Sequence, residues 1–145
     1  VVRSERFEKV DAAVKTVVEG GQPRDIEAAE WTSHEWLHLI RHLPVELPQD
    51  QMAALDNAFG LTESGNSEIQ AAWLELSIRN GYGTTILPTT EDFLTRIGRR
   101  KFLVPIYRAL KESDQLDTAR SIFTKAAPNY HEVSRKSIAA LLEVE

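Results

Sequence analysis

Apolar residues recur along this chain at spacings of three and four, the period of a helix with one buried face. "RFEKVDAAVKTVVEGG" places Phe7, Val10, Val14, Val17 and Val18 on one face, and Gly20-Gly21 ends the run. "TSHEWLHLIRHL" predicts a second helix. "LPQDQMAALDNAFG" predicts a third, with Pro48 in its first turn, Met52, Leu55 and Phe59 inward, and Gly60 as its stop. "NSEIQAAWLELSIRNG" takes Asn66 or Ser67 as N-cap, turns Ile69, Trp73 and Leu76 inward and stops at Gly81. "TTILPTTEDFLTRIG" runs to Ile97, with Pro88 near its start and Gly98 as a left-handed stop. Pro105 is expected in the first turn of "KFLVPIYRALKES". "DQLDTARSIFTKAA" and "HEVSRKSIAALLEV" complete the series on either side of a break at Pro128-Asn129.

About eight short helices with short connectors predict an all-α, two-layer antiparallel stack of the armadillo or HEAT type, an α-α superhelix. No strand pattern and no exact repeat is visible, so an irregular solenoid fits better than a strict repeat protein. No low-complexity linker divides residues 1–145, which predicts one domain. With 42% apolar residues the chain supports one ordinary core. The chain does not begin with methionine, so Val1 reads as a fragment boundary, upstream of which a targeting signal would be lost.

Charge narrows the function classes. The chain has 22 Asp and Glu against 17 Lys and Arg. That balance argues against a nucleic-acid partner, which needs a dominant basic surface. No stretch reaches the roughly 20 apolar residues of a membrane span. The absence of cysteine excludes disulfides, thiolate nucleophiles and cysteine–zinc sites. It does not fix the compartment, although a cytoplasmic one is favoured.

"SHEWLH" contains H-E-x-x-H, the zinc-protease signature, at His34, Glu35 and His38. Each residue has a plainer role. Thr32 and Glu35 make a capping box, and Trp31 and Trp36 stand at the hydrophobic-staple positions around it. On a helical wheel Trp36, Leu39, Ile40 and Leu43 share the apolar side, with Leu37 at its edge. His34, His38 and Arg41 share the opposite, solvated side, with His42 and Glu35 beside them. A third ligand is missing: a glutamate is needed about twenty residues further on, and Asn57 stands there, with Asp56 beside it, the best candidate but the wrong residue type, and Glu63 beyond. The expectation is a capped surface helix with no catalytic or metal-binding role. A small independent metalloprotease built on His34, Glu35 and His38 is the rejected alternative. "GYGTT" (81–85) lacks the third glycine and the preceding strand of a dinucleotide loop and reads as a helix–helix turn.

"TRIGRRKF" (95–102) gathers Arg96, Arg99, Arg100 and Lys101 in an acidic chain. Arg96 suits a helix C-terminus. Arg99, Arg100 and Lys101 lie past that stop and before the next helix, where positive charge is unfavourable. A connector that holds cations against this cost is a candidate site for carboxylate or phosphate, which arginine grips with two parallel hydrogen bonds.

These residues carry a family resemblance. "GRRKF" (98–102) followed by "PIYRAL" (105–110), "NSEIQAAWLEL" (66–76), "WTSH" (31–34) and Pro88 resemble the C-terminal helical domain of leukotriene A-4 hydrolase and related aminopeptidases. The match is best from Trp31 to Leu110 and thin afterwards, with only His131 and Val133 suggestive. The resemblance implies a domain of a larger zinc aminopeptidase, inactive alone and packed on a catalytic domain that holds the zinc. It further implies that Arg99 and Lys101 bind the free carboxylate of a peptide substrate. Arg100 stands where the family is uncharged, and two readings stay open: it faces solvent, or it widens the anion site. The other functional reading is a freestanding α-solenoid interaction module.

Overall fold

The computed structural model describes residues 2–26, 28–29 and 31–144, with side chains from residue 7 onward; Val1 lies outside them. Eight α-helices are present among the described residues, and no strand. They are α1 (Val2–Val18), α2 (Ser33–His42), α3 (Gln49–Phe59), α4 (Ser67–Asn80), α5 (Leu87–Arg96), α6 (Arg100–Glu112), α7 (Leu116–Ala126) and α8 (Glu132–Leu141). None is long and apolar enough to cross a membrane.

The helices form two layers. Helix α4 packs between α2 and α6, with α1 beyond α2 and α8 beyond α6. Helices α5 and α7 pack on each other in the second layer. The expected all-α stack is therefore what forms. Trp73 of α4, Phe93 and Leu94 of α5, and Leu103, Ile106, Tyr107 and Leu110 of α6 are wholly buried in one core. Burial of side chains this large supplies most of the drive to fold, about 1.5–3 kcal/mol each.

Local signals set most boundaries. Asn66 caps α4, its side chain accepting from the Glu68 and Ile69 amides at 2.9 and 3.2 Å. Gly60 and Gly81 end α3 and α4 at φ +63° and +99°, conformations a side chain would strain. Pro88 falls at the second position of α5. The "GYGTT" segment is a helix–helix turn, as read.

Four expectations need correction. Pro105 sits inside α6, in its second turn, because the helix begins at Arg100, earlier than "KFLVP" suggested. There it leaves the Lys101 carbonyl without its helical partner. Gly98 is not left-handed; α5 ends through an extended Ile97 (φ −97°, ψ 127°). In α1 the buried face is Val10, Ala13 and Val17, while Val18 is 53% exposed. Pro48 precedes α3 as its N-cap residue.

Candidate functional site

The head of α2 settles the H-E-x-x-H question. The Thr32 amide donates to Glu35 Oε2 at 3.0 Å, and the Thr32 hydroxyl donates to the same oxygen. Trp31 and Trp36 meet edge to face at 4.9 Å, as the staple requires. Glu35 is buried, not beside the solvated face. His34 is exposed. His38 is not solvated either: α1 covers it, with Asp11 at 2.8 Å from Nε2 and the Phe7 ring stacked at 4.6 Å. His42 stacks on its other side at 4.0 Å. A zinc ion needs His34, Glu35 and His38 turned to one cavity. Here Glu35 closes a helix end and His38 is engaged by an aspartate of another helix, so the residues present do not fit one. Among the described residues no group of three or more His, Cys, Asp or Glu is placed to hold a metal ion.

Asp56, the nearest stand-in for a third ligand, is equally committed. It accepts from the Thr62 amide and hydroxyl at 2.8 and 2.5 Å and from the Tyr82 hydroxyl at 2.9 Å. Trp73 Nε1 donates to the Thr62 hydroxyl at 2.9 Å, which ties this network to the core. Burial, then the hydrogen bond and negative charge of Asp56, push the Tyr82 hydroxyl up to about 12.

The head of α6 is built differently. Only Ile97, Gly98 and Arg99 separate α5 from α6, so Arg99 is the N-cap residue and Arg100 and Lys101 already lie in the first turn. Positive charge at each of these positions opposes the helix dipole. No side chain caps this end. Arg99 Cζ lies 5.9 Å and Lys101 Nζ 4.9 Å from the Phe102 ring centroid. One nearly buried ring thus underlies both cations that the resemblance singled out. Arg99, Arg100 and Lys101 border an open concavity of about 570 Å³, together with Gly98, Asn129, His131 and Ser134. No carboxylate of the described residues lines it.

Two contacts from distant sequence hold the connector. The Ser134 hydroxyl donates to the Gly98 carbonyl at 3.1 Å. Behind it, the Tyr107 hydroxyl donates to Tyr130 at 2.9 Å, and Tyr130 donates to the Leu94 carbonyl in the last turn of α5. Burial raises both phenols, Tyr130 to about 12, so both stay protonated and able to donate. On the opposite side, Lys101 Nζ reaches Glu68 Oε1 at 3.4 Å, where both side chains are about half exposed. There Lys101 joins a second groove of about 450 Å³ between α2, α4 and α6, floored by Ala71, Ala72, Leu76 and Phe102. The family resemblance singled out Arg99 and Lys101, and the structure sets both beside the Phe102 ring. Sequence reasoning missed Ser134, Tyr107 and Tyr130, whose partners lie 36 or 23 positions away.

Comparison with known proteins follows the same segments. The family model described as leukotriene A4 hydrolase, C-terminal, matches residues 31–142. Leucine aminopeptidase 2 of Neurospora crassa is 29% identical over 119 residues, covering 80% of this chain and 18% of that protein. Leucine aminopeptidase 2 of Emericella nidulans is 38% identical over 117 residues, covering 79% of this chain and 18% of its own length. Leukotriene A-4 hydrolase of Xenopus laevis is 27% identical over 121 residues, 81% of this chain and 20% of that protein. The chain therefore spans about a fifth of the length of these relatives. The ordered motifs, the helical fold and the extent of the family match agree: this chain belongs to the leukotriene A4 hydrolase C-terminal family.

Proposed function

We propose that residues 1–145 form one helical domain of a zinc aminopeptidase, packed on a catalytic domain that lies outside this chain and holds the zinc. In this reading the chain alone is inactive, and its part in peptide hydrolysis is to hold substrate. Arg99 and Lys101 grip the free carboxylate of the peptide and so fix how far its amino end reaches towards the metal. A correctly spaced anchor lowers the barrier by orientation, since a displacement of about 1 Å at the reacting bond costs up to a hundredfold in rate.

The observation that carries this reading is the concavity at the head of α6. It is lined by Arg99, Arg100 and Lys101 and by no carboxylate among the described residues, with the Lys101 ammonium turned to Glu68 at its far edge, and it lies in the segment that the family model matches. Phe102 lies beside both side chains, with Arg99 Cζ 5.9 Å and Lys101 Nζ 4.9 Å from its ring centroid. The freestanding-module reading accounts for the helices but not for cations placed where they oppose a helix dipole.

Arg99→Ala in the full-length enzyme tests it. The expected loss in kcat/KM is about tenfold or more on peptides with a free C-terminus, the size of one charge-assisted pair. The matching C-terminal amides should change little. Equal losses on acid and amide would remove the carboxylate role.

A further inference from the structure

Arg100 is not explained by a single carboxylate. Arg100 and Lys101 leave the first turn of α6 in directions about 100° apart, and Arg99 precedes them with extended backbone. Arg99 and Lys101 both lie over the Phe102 ring, whereas Arg100 makes no such contact. Yet Arg100 borders the same concavity, with His131 and Asn129 of the segment leading into α8. No described carboxylate pairs with Arg100; the same holds for the exposed Arg41, Arg108 and Arg135, whereas Lys125 pairs with Glu91 at 2.8 Å and Lys136 with Glu132 at 3.0 Å, and what distinguishes Arg100 is that it borders a concavity lined by no described carboxylate. Glu132 is the acid next to His131, and it is turned to Lys136 along α8. The region beside Arg100 therefore has positive charge that the chain does not neutralise. The dipoles of α6 and α8, both of which begin at this concavity, add to it.

We infer that Arg100 is a specificity residue that binds a second carboxylate, so that the preferred substrates are peptides whose C-terminal residue is itself acidic. This rests on the reading of Arg99 and Lys101 as the holder of the main-chain carboxylate. With that group anchored over Phe102, the side-chain carboxylate of a terminal Glu or Asp extends along the concavity to Arg100. The pair is solvent-exposed and gives a modest preference, not an absolute one.

Four peptides test it in the full-length enzyme: one sequence ending in Glu or in Gln, each as free acid and as α-amide. The wild type should favour Glu over Gln in kcat/KM by about fivefold at low salt, and less as salt is raised. Arg100→Gln should bring that ratio to about one while leaving the preference for acid over amide intact. Arg100→Lys should keep part of it, which separates charge from packing. A ratio near one in the wild type, or one that Arg100→Gln does not change, overturns the second site while the first stands. No preference of the wild type for acid over amide overturns the first reading, and this one with it.

Discussion

Two helix starts in this chain look chemically active, and their neighbours sort them. The head of α2 displays His34, Glu35 and His38 in a zinc-protease pattern, but its groups are satisfied from within. Glu35 is held by Thr32, and His38 by Asp11. The head of α6 displays Arg99, Arg100 and Lys101, a cationic run that belongs to no general catalytic motif. It has no side-chain cap, and its two arginines have no carboxylate partner among the described residues. A reactive residue type is informative where the fold leaves its bonding capacity open, and uninformative where the fold consumes it.

The largest expected effect lies at α2. Glu35→Ala removes the reciprocal cap and leaves the Thr32 amide without a partner, so stability should fall by about 1–2 kcal/mol. Arg100→Ala, at the exposed head of α6, should stay within about 0.5 kcal/mol. Chemical denaturation of the chain measures both. A neutral Glu35→Ala would break the contrast, because the glutamate would then be free for another role.

The opposite substitution at α6 should stabilise. Arg99 has the extended backbone of an N-cap, φ −77° and ψ 123°, but a side chain that can only donate. Arg99→Asp supplies an acceptor for the first-turn amides and a charge that suits the helix dipole. The expected gain is about 1 kcal/mol, or a rise of about 2–4 °C in Tm. In the full-length enzyme the same change should abolish the preference for free-acid peptides over amides. Higher stability with lost selectivity is the signature of a residue kept for binding at the expense of its helix. A fall in Tm would mean that Arg99 has a structural role instead.

What was legible in the sequence was local. Apolar spacing gave the eight helices, and Asn66, Gly60, Gly81 and the Thr32–Glu35 box set boundaries because cap and helix are adjacent in the chain. Misplacements arose where a distant element decides. The wheel put His38 in solvent because it knows nothing of α1, whose Asp11 lies 27 positions earlier. Asp56, the best candidate for a third ligand, is taken up by Thr62, six positions on, and by Tyr82, 26 positions on. At the candidate site, the family resemblance pointed to Arg99 and Lys101. Their shared ring, Phe102, was in plain view, but its position beneath both depends on where α6 begins, and Pro105 misled there. The rest of the concavity, His131 and Ser134, arrives through the packing of α8 on α6.

The smallest effect is the most discriminating between the two helix heads. Among the described residues Lys101 is the one cation at the head of α6 with a carboxylate, Glu68 at 3.4 Å. That distance is long for a charged hydrogen bond, and both side chains are about half exposed, so the pair is worth at most about 0.5 kcal/mol. A substrate carboxylate bound by Lys101 must compete with Glu68. Glu68→Gln keeps the side-chain shape and removes the competing charge. In the full-length enzyme KM for a free-acid peptide should fall by about twofold with kcat unchanged, while the amide is unaffected. Stability should barely move, because a half-exposed pair contributes little to folding. If KM rises instead, Glu68 orients Lys101 and does not compete with substrate. The head of α6 would then be partly satisfied from within, as the head of α2 is, and the sharp difference between them would reduce to Arg99 and Arg100.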